Sequence, residues 1–127
     1  MIKARYDKKY NAVVIEFIGR IDAAQAKQSY LDIQKIVSAY RKGFKILTDF
    51  SLVESMDLKI KETIAKSMDF LDKKGVKEII RVIPDPAQDI GFSIMSLFHY
   101  SKKVKFLTFP SRKDAETYLF ETARSAS

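Results

Sequence analysis

This sequence predicts a single α/β domain with a mainly parallel sheet, an antiparallel opening strand and packed helices. Three observations predict it. Strand-like and helix-like periodicities alternate along the whole chain. Residues 76–83 hold Ile79, Ile80, Val82 and Ile83 almost without polar alternation, as expected of a strand covered on both faces, and 44–50 form a compact apolar strand. The helical segments open on capping residues, and two of them stop at glycines. A chain of 127 residues suits one well-packed core and is short for two, and 4 Gly with 3 Pro leave little room for a linker. Residues 1–127 are therefore expected to form one domain.

Residues 3–7 and 12–18 read as two short strands joined by the polar stretch 8–11. Val13, Val14, Ile15, Phe17 and Ile18 are strongly strand-favouring, and Gly19 breaks the pattern. Asp22 with Gln25 has the spacing of a capping box, in which each side chain satisfies the other residue's free N–H. Ala26, Tyr30, Ile33, Val37 and Tyr40 then recur at steps of four and three, so a helix follows and Gly43 stops it. Residues 44–50 form the next strand and 51–56 a short loop. Asp57 caps a helix with Ile60, Ile64, Met68 and Leu71 on one face and Gly75 after its end. After the strand 76–83, Asp85, Pro86 and Gln88 combine an N-cap, a proline at the first helical position and a capping partner, opening a helix to about Tyr100. Residues 104–109 make the last strand, and Ser111 with Asp114 opens a final helix carrying Ala115, Tyr118 and Leu119. The order is ββαβαβαβα. Short strand–helix–strand units imply right-handed crossovers, with the opening strand at or near an edge.

Cysteine is absent and His99 is the one histidine, which excludes disulfides, thiol catalysis and cysteine-based metal sites and fits a cytoplasmic address. No phosphate-binding glycine loop, nucleophile elbow or metal-ligand spacing occurs, and nothing in the sequence orients His99 as a base. No enzyme, cofactor or metal is expected. The first ten residues place no apolar run behind their charges, and no stretch approaches the roughly 18 apolar residues of a membrane span.

The net charge is +7. Nine of the 23 basic residues (Arg41, Lys42, Lys45, Lys73, Lys74, Lys77, Lys102, Lys103 and Lys105) fall where a helix ends and a strand begins, junctions that a parallel sheet gathers along one edge. Lys8 and Lys9 join them if the second strand runs parallel to the rest. Asp49, Glu54, Asp57, Asp85, Asp89 and Asp114 gather at the other edge, where open sheets place ligands. Cations at helix C-termini and carboxylates at N-termini complement the helix dipole by about 0.3–1 kcal/mol each, which accounts for this pattern more economically than an anion-binding rim. No specific nucleic-acid complex is expected, because no base-reading motif or aromatic ladder accompanies the lysines.

Residues 46–57 hold Asp49, Ser51, Val53, Met56 and Asp57 at a spacing that resembles the core signature of the STAS domain, found in anti-sigma factor antagonists and sulfate transporter tails. Phe106 to Ser111, with Ala115, Tyr118 and Leu119, is similar to the closing strand and helix of the broader SpoIIAA-like group, for which a likeness to CRAL-TRIO lipid-binding domains is suggested. The resemblance implies that fold and a bacterial-type regulator acting through protein contacts. In STAS antagonists a serine at the start of this helix takes up phosphate, and the added charge switches the partner surface. Here Leu58 and Lys59 occupy the two positions after Asp57, so the resemblance does not bring the phospho-switch with it. Ser51 and Ser55 read as turn residues that are also open to modification.

In the helix expected at 90–100, Ile90, Ile94, Leu97 and Phe98 share the face toward the sheet, while Phe92, Met95 and His99 point away as a partner surface, a ligand lid or a patch covered by a loop. Two functions follow. One is a non-enzymatic interaction domain, with self-association as the simplest partner, using Ser51, Ser55, Asp57, Leu58, Lys59, Phe92, Met95 and His99. The alternative is a carrier of a small apolar or lipid ligand held between that helix and the sheet by Phe92, Ile94, Met95 and Phe98, as the CRAL-TRIO likeness implies.

Overall fold

The structure is a computed structural model that describes residues 1–38, 43–83 and 104–126. Strands β1 (Ile2–Asp7) and β2 (Ala12–Ile21) form the expected antiparallel hairpin, with Ile2 opposite Phe17 and Asp7 opposite Ala12. Gly19 does not end β2. It sits inside the strand at φ +73°, and the register against the next strand slips beside it. Glycine takes this conformation at little steric cost, and bulges bend a strand without terminating it.

The continuation of β2 is matched by β3 (Lys45–Met56), whose Leu52, Val53, Ser55 and Met56 pair with Ile18, Gly19, Arg20 and Ile21. The loop expected at 51–56 is instead the second half of β3. Its backbone groups find partners on β2, a long-range pairing that outweighs the turn preference of its serines.

Helix α1 (Ala23–Ser38) opens on the complete capping box. The Gln25 N–H donates to Asp22 Oδ1 at 2.8 Å and the Asp22 N–H donates to Gln25 Oε1 at 3.0 Å. Asp22→Ala is expected to cost about 1 kcal/mol, read as a lower urea midpoint at unchanged m-value; an unmoved midpoint would show the cap to be dispensable. Asp57 departs from expectation. Its Oδ1 accepts from the Lys59 N–H at 3.0 Å and heads a short 3-10 turn (Leu58–Ile60), and α2 (Lys61–Lys73) begins after it without a side-chain cap. Within α1 and α2, Ala26, Ile33, Val37, Met68 and Leu71 are buried as the periodicity requires, and Tyr30 meets Phe70 edge-on with ring centroids 6.2 Å apart.

Strands β4 (Glu78–Val82) and β5 (Lys105–Phe109) complete a sheet of order β1-β2-β3-β4-β5, parallel from β2 onward. Helix α3 (Arg112–Ala126) follows, with Ser111 Oγ accepting from the Asp114 N–H at 3.2 Å. The helix expected at 85–100 lies outside the described residues. The register sets the layers. Val13, Ile46, Ile79 and Phe106 form a row packed with Ile33, Val37 and Leu71 of α1 and α2. Val14, Leu47, Ile80 and Leu107 form a row on the opposite face, under Ala115 and Leu119 of α3. Helices on both faces are the reason β4 shows so little polar alternation.

Candidate functional site

The parallel strands place their C-termini at one edge, and there β3 outruns β4. Asp49 pairs with Val82, the last residue of β4, while β3 runs on to Met56 beside β2. In this projecting segment Leu52 keeps 61% of its surface exposed, Glu54 and Ser55 are exposed, and Ser51, Val53 and Met56 are half-buried. Val53 and Met56 turn inward onto Ile21, Ala26 and Ile60, while Leu52, Glu54 and Ser55 stay exposed. The Asp57 N–H donates to Ile21 O at 2.9 Å, ending the strand against β2, and the following turn carries exposed Lys59 and fully buried Ile60.

Ser51, Ser55, Asp57 and Lys59 lie along this one edge. The side chain of Leu58, and all of Phe92, Ile94, Met95, Phe98 and His99, lie outside the described residues. So do Asp85 and Asp89. Leu52 was not singled out in the sequence, because its exposure depends on β3 extending beyond its neighbour β4.

Asp49 lies at the base of the projection with its side chain 9% exposed. It accepts from the Ser51 N–H at 2.8 Å and from Arg112 Nη1 at 3.0 Å. The same Nη1 is 3.5 Å from Glu16 Oε2, and Arg112 Nε donates to Glu116 Oε1 at 2.9 Å. Burial pulls the Arg112 pKa down, but its bonds to Asp49 and Glu116 outweigh burial and hold it above the ordinary value. Asp49 is therefore committed to an ion cluster, and Asp57 to a turn. Arg112 and Glu16 were missed in the sequence. The available signal was an arginine at the first residue of a helix, where the dipole disfavours a cation unless carboxylates stand close by.

The opposite edge is basic, and Lys8 and Lys9 join it because β2 runs parallel to β3. It is not a uniform lysine rim. Lys45, Glu78 and Lys105 are successive partners across β3, β4 and β5 on the α3 face. Glu78, 5% exposed, has Lys45 Nζ 3.1 Å from Oε2 and Lys105 Nζ 3.8 Å from Oε1, and it accepts from the Tyr118 hydroxyl. Lys45 Nζ also donates to Thr122 Oγ1 at 2.7 Å. Burial pushes the Glu78 carboxyl up, but Tyr118, Lys45 and Lys105 outweigh it and leave it below the ordinary value. Burial, and then the bond to Glu78, push the Tyr118 hydroxyl up to about 12. Lys9 lies over the Tyr10 and Phe120 rings, and Lys74 over Phe70. Lys45, one of the nine basic residues at the strand starts, is an internal partner of Glu78. Arg41, Lys42, Lys102 and Lys103 lie outside the described residues.

Among the described residues no group of three or more His, Asp or Glu side chains is placed to hold a metal ion, and no helix is long and apolar enough to cross a membrane. No family model and no curated protein matches the chain. Solved structures do match it. A protein of SpoIIAA-like fold from Shewanella loihica PV-4 aligns with a TM-score of 0.69 at 13% identity, covering 94% of this chain and 92% of that one. The anti-sigma factor antagonist SpoIIAA in its unphosphorylated form aligns with a TM-score of 0.65 at 15% identity, covering 93% and 96%. An anti-sigma factor antagonist from Mycobacterium paratuberculosis aligns with a TM-score of 0.58 at 20% identity, covering 94% of each chain. With its five-stranded sheet, parallel but for the opening hairpin, and helices on both faces, the chain has a SpoIIAA-like fold.

Proposed function

We propose that this chain is a non-enzymatic, cytoplasmic regulatory domain that works by protein contact through the projecting end of β3 and the turn after it. One observation carries the reading. Leu52 is a large apolar side chain, 61% exposed, on a strand segment beyond the end of β4, with exposed Glu54, Ser55 and Lys59 nearby. An apolar anchor with polar surroundings is the anatomy of a small contact hot spot. The commitment of Asp49 to Arg112 and of Asp57 to its turn supports a non-catalytic role. The anti-sigma factor antagonists that share the fold are, by name, proteins that act against a regulator. A serine switch at the start of the helix is not part of this reading, since Leu58 and Lys59 occupy those positions.

A second copy of the chain is the simplest partner. In sedimentation velocity over a concentration series, the wild type is expected to associate reversibly. Leu52→Asp should weaken association by at least about tenfold with an unchanged urea midpoint, and Phe92→Asp should also weaken it. A wild type that stays monomeric at the highest concentration removes self-association. Association that Leu52→Asp leaves intact removes this surface.

A further inference from the structure

Strand β1 ends the sheet, and among the described residues β2 is its sole strand neighbour. It pairs with β2 in an unbroken register and carries neither proline nor bulge, two common means of closing such an edge. The Ile18 N–H donates to Met1 O at 2.8 Å and the Met1 amino group donates to Ile18 O at 2.7 Å, so these two residues exchange both bonds. In an antiparallel pair such couples alternate with couples that exchange none. Lys3 and Arg5 therefore bond inward to β2, and the N–H and C=O groups of Ile2 and Ala4 point outward, set to receive another strand.

The side chains select which strand. Ile2 and Ala4 are half-buried and pack on the core that holds Ile33 and Val37 of α1. Lys3 and Arg5 are exposed on the opposite face, level with Glu16 and Val14 of β2. Arg5 Nη1 lies 3.1 Å from Asp7 Oδ2, but half of the Arg5 side chain stays open to water, and exposed pairs of this kind contribute little. Two copies of β1 paired antiparallel about Ala4 would set each Lys3 against an Arg5, and like charges directly opposite are destabilising. Carboxylates in those places would be stabilising. The edge thus disfavours its own kind and suits a strand in which apolar residues alternate with acidic ones.

We propose that β1 is a docking edge for an extended acidic peptide, which adds to the sheet beside it, bonding to Ile2 and Ala4 and setting carboxylates against Lys3 and Arg5. This surface is separate from the projecting end of β3, since β2 lies between them.

The test titrates the full chain with a capped synthetic peptide of alternating valine and glutamate, followed by NMR. Saturable shifts at Ile2 and Ala4, with slower exchange of their amides, are expected. The same peptide N-methylated at its valines keeps every charge and loses the donors that face β1, and it should bind at least about tenfold more weakly. Ala4→Pro removes an outward N–H and no bond to β2, and it should have a similar effect. Lys3→Glu combined with Arg5→Glu should turn the preference to a peptide of alternating valine and lysine, and Leu52→Asp should leave binding as in the wild type. Binding unmoved by N-methylation, shifts spread over the lysines of the surface without Ile2 and Ala4, or a preference that the double charge reversal does not invert would each overturn the proposal.

Discussion

Glu78→Ala is expected to destabilise the protein by about 3–5 kcal/mol, because the change leaves a buried cation without its carboxylate. Lys45, with its side chain 13% exposed, would keep the Thr122 hydroxyl and lose the oxygen 3.1 Å away. The loss measures the stranded charge rather than the worth of the pair. An apolar replacement of both partners, Glu78→Leu with Lys45→Met, should therefore recover most of it. Urea unfolding of the two single variants and the double variant checks this, and additive losses would contradict it.

The same network predicts a pH profile. Glu78 is held below its ordinary pKa in the folded state, so its contribution is present above the unfolded pKa and is lost as pH falls through the folded value. Tyr118 is shifted the other way, from 10.0 to about 12, so its contribution is complete below pH 10 and is lost as pH rises toward 12. Tyr118→Phe should flatten the alkaline fall in urea midpoint and leave an acid fall in place. An alkaline limb as steep in the variant as in the wild type would place its origin elsewhere.

Arg112→Ala carries the second large effect, an expected loss of about 2–3 kcal/mol, less than for a fully buried pair because the guanidinium is partly open to water. Asp49 would keep the Ser51 N–H and lose the cation that lies between it and Glu16. Arg112→Lys keeps the charge but not the planar fork that reaches Asp49 through Nη1 and Glu116 through Nε at once, so an intermediate loss is expected. A urea midpoint unmoved by Arg112→Ala would show that the cluster contributes nothing. Because Asp49 stands where β3 leaves β4, the same substitution should also loosen the projecting segment, read as faster amide exchange at 51–56.

The legible parts of this fold are those written in short stretches of sequence. The Asp22–Gln25 box, the Ser111–Asp114 cap, the helical faces of α1 and α2 and the apolar run of β4 each depend on residues within about a turn or a strand of one another, and the structure shows all of them. The missed elements depend on a distant partner. Residues 51–56 look like a loop until β2 is seen to continue past Gly19 and supply their hydrogen bonds. Asp57 looks like a helix cap, yet its carboxylate is spent on the turn before the helix.

Local sequence alone was enough for the order of the described strands and helices, the parallel sheet with its antiparallel start, and the edge to which each described basic or acidic residue of the strand ends belongs. These follow from hydrophobic period, capping chemistry and the right-handed crossover, all of them local or topological rules. Which charges meet and which apolar groups stay outside depends on contacts between distant parts of the chain. Arg112 reaches Asp49 across 63 positions of chain, and Tyr118 reaches Glu78 across 40. Both contacts and the exposure of Leu52 are set by strand register and by the seating of helices on the sheet. A shift of one residue in register would turn the strand side chains Asp49, Leu52 and Glu78 to the other face, away from these partners and surroundings.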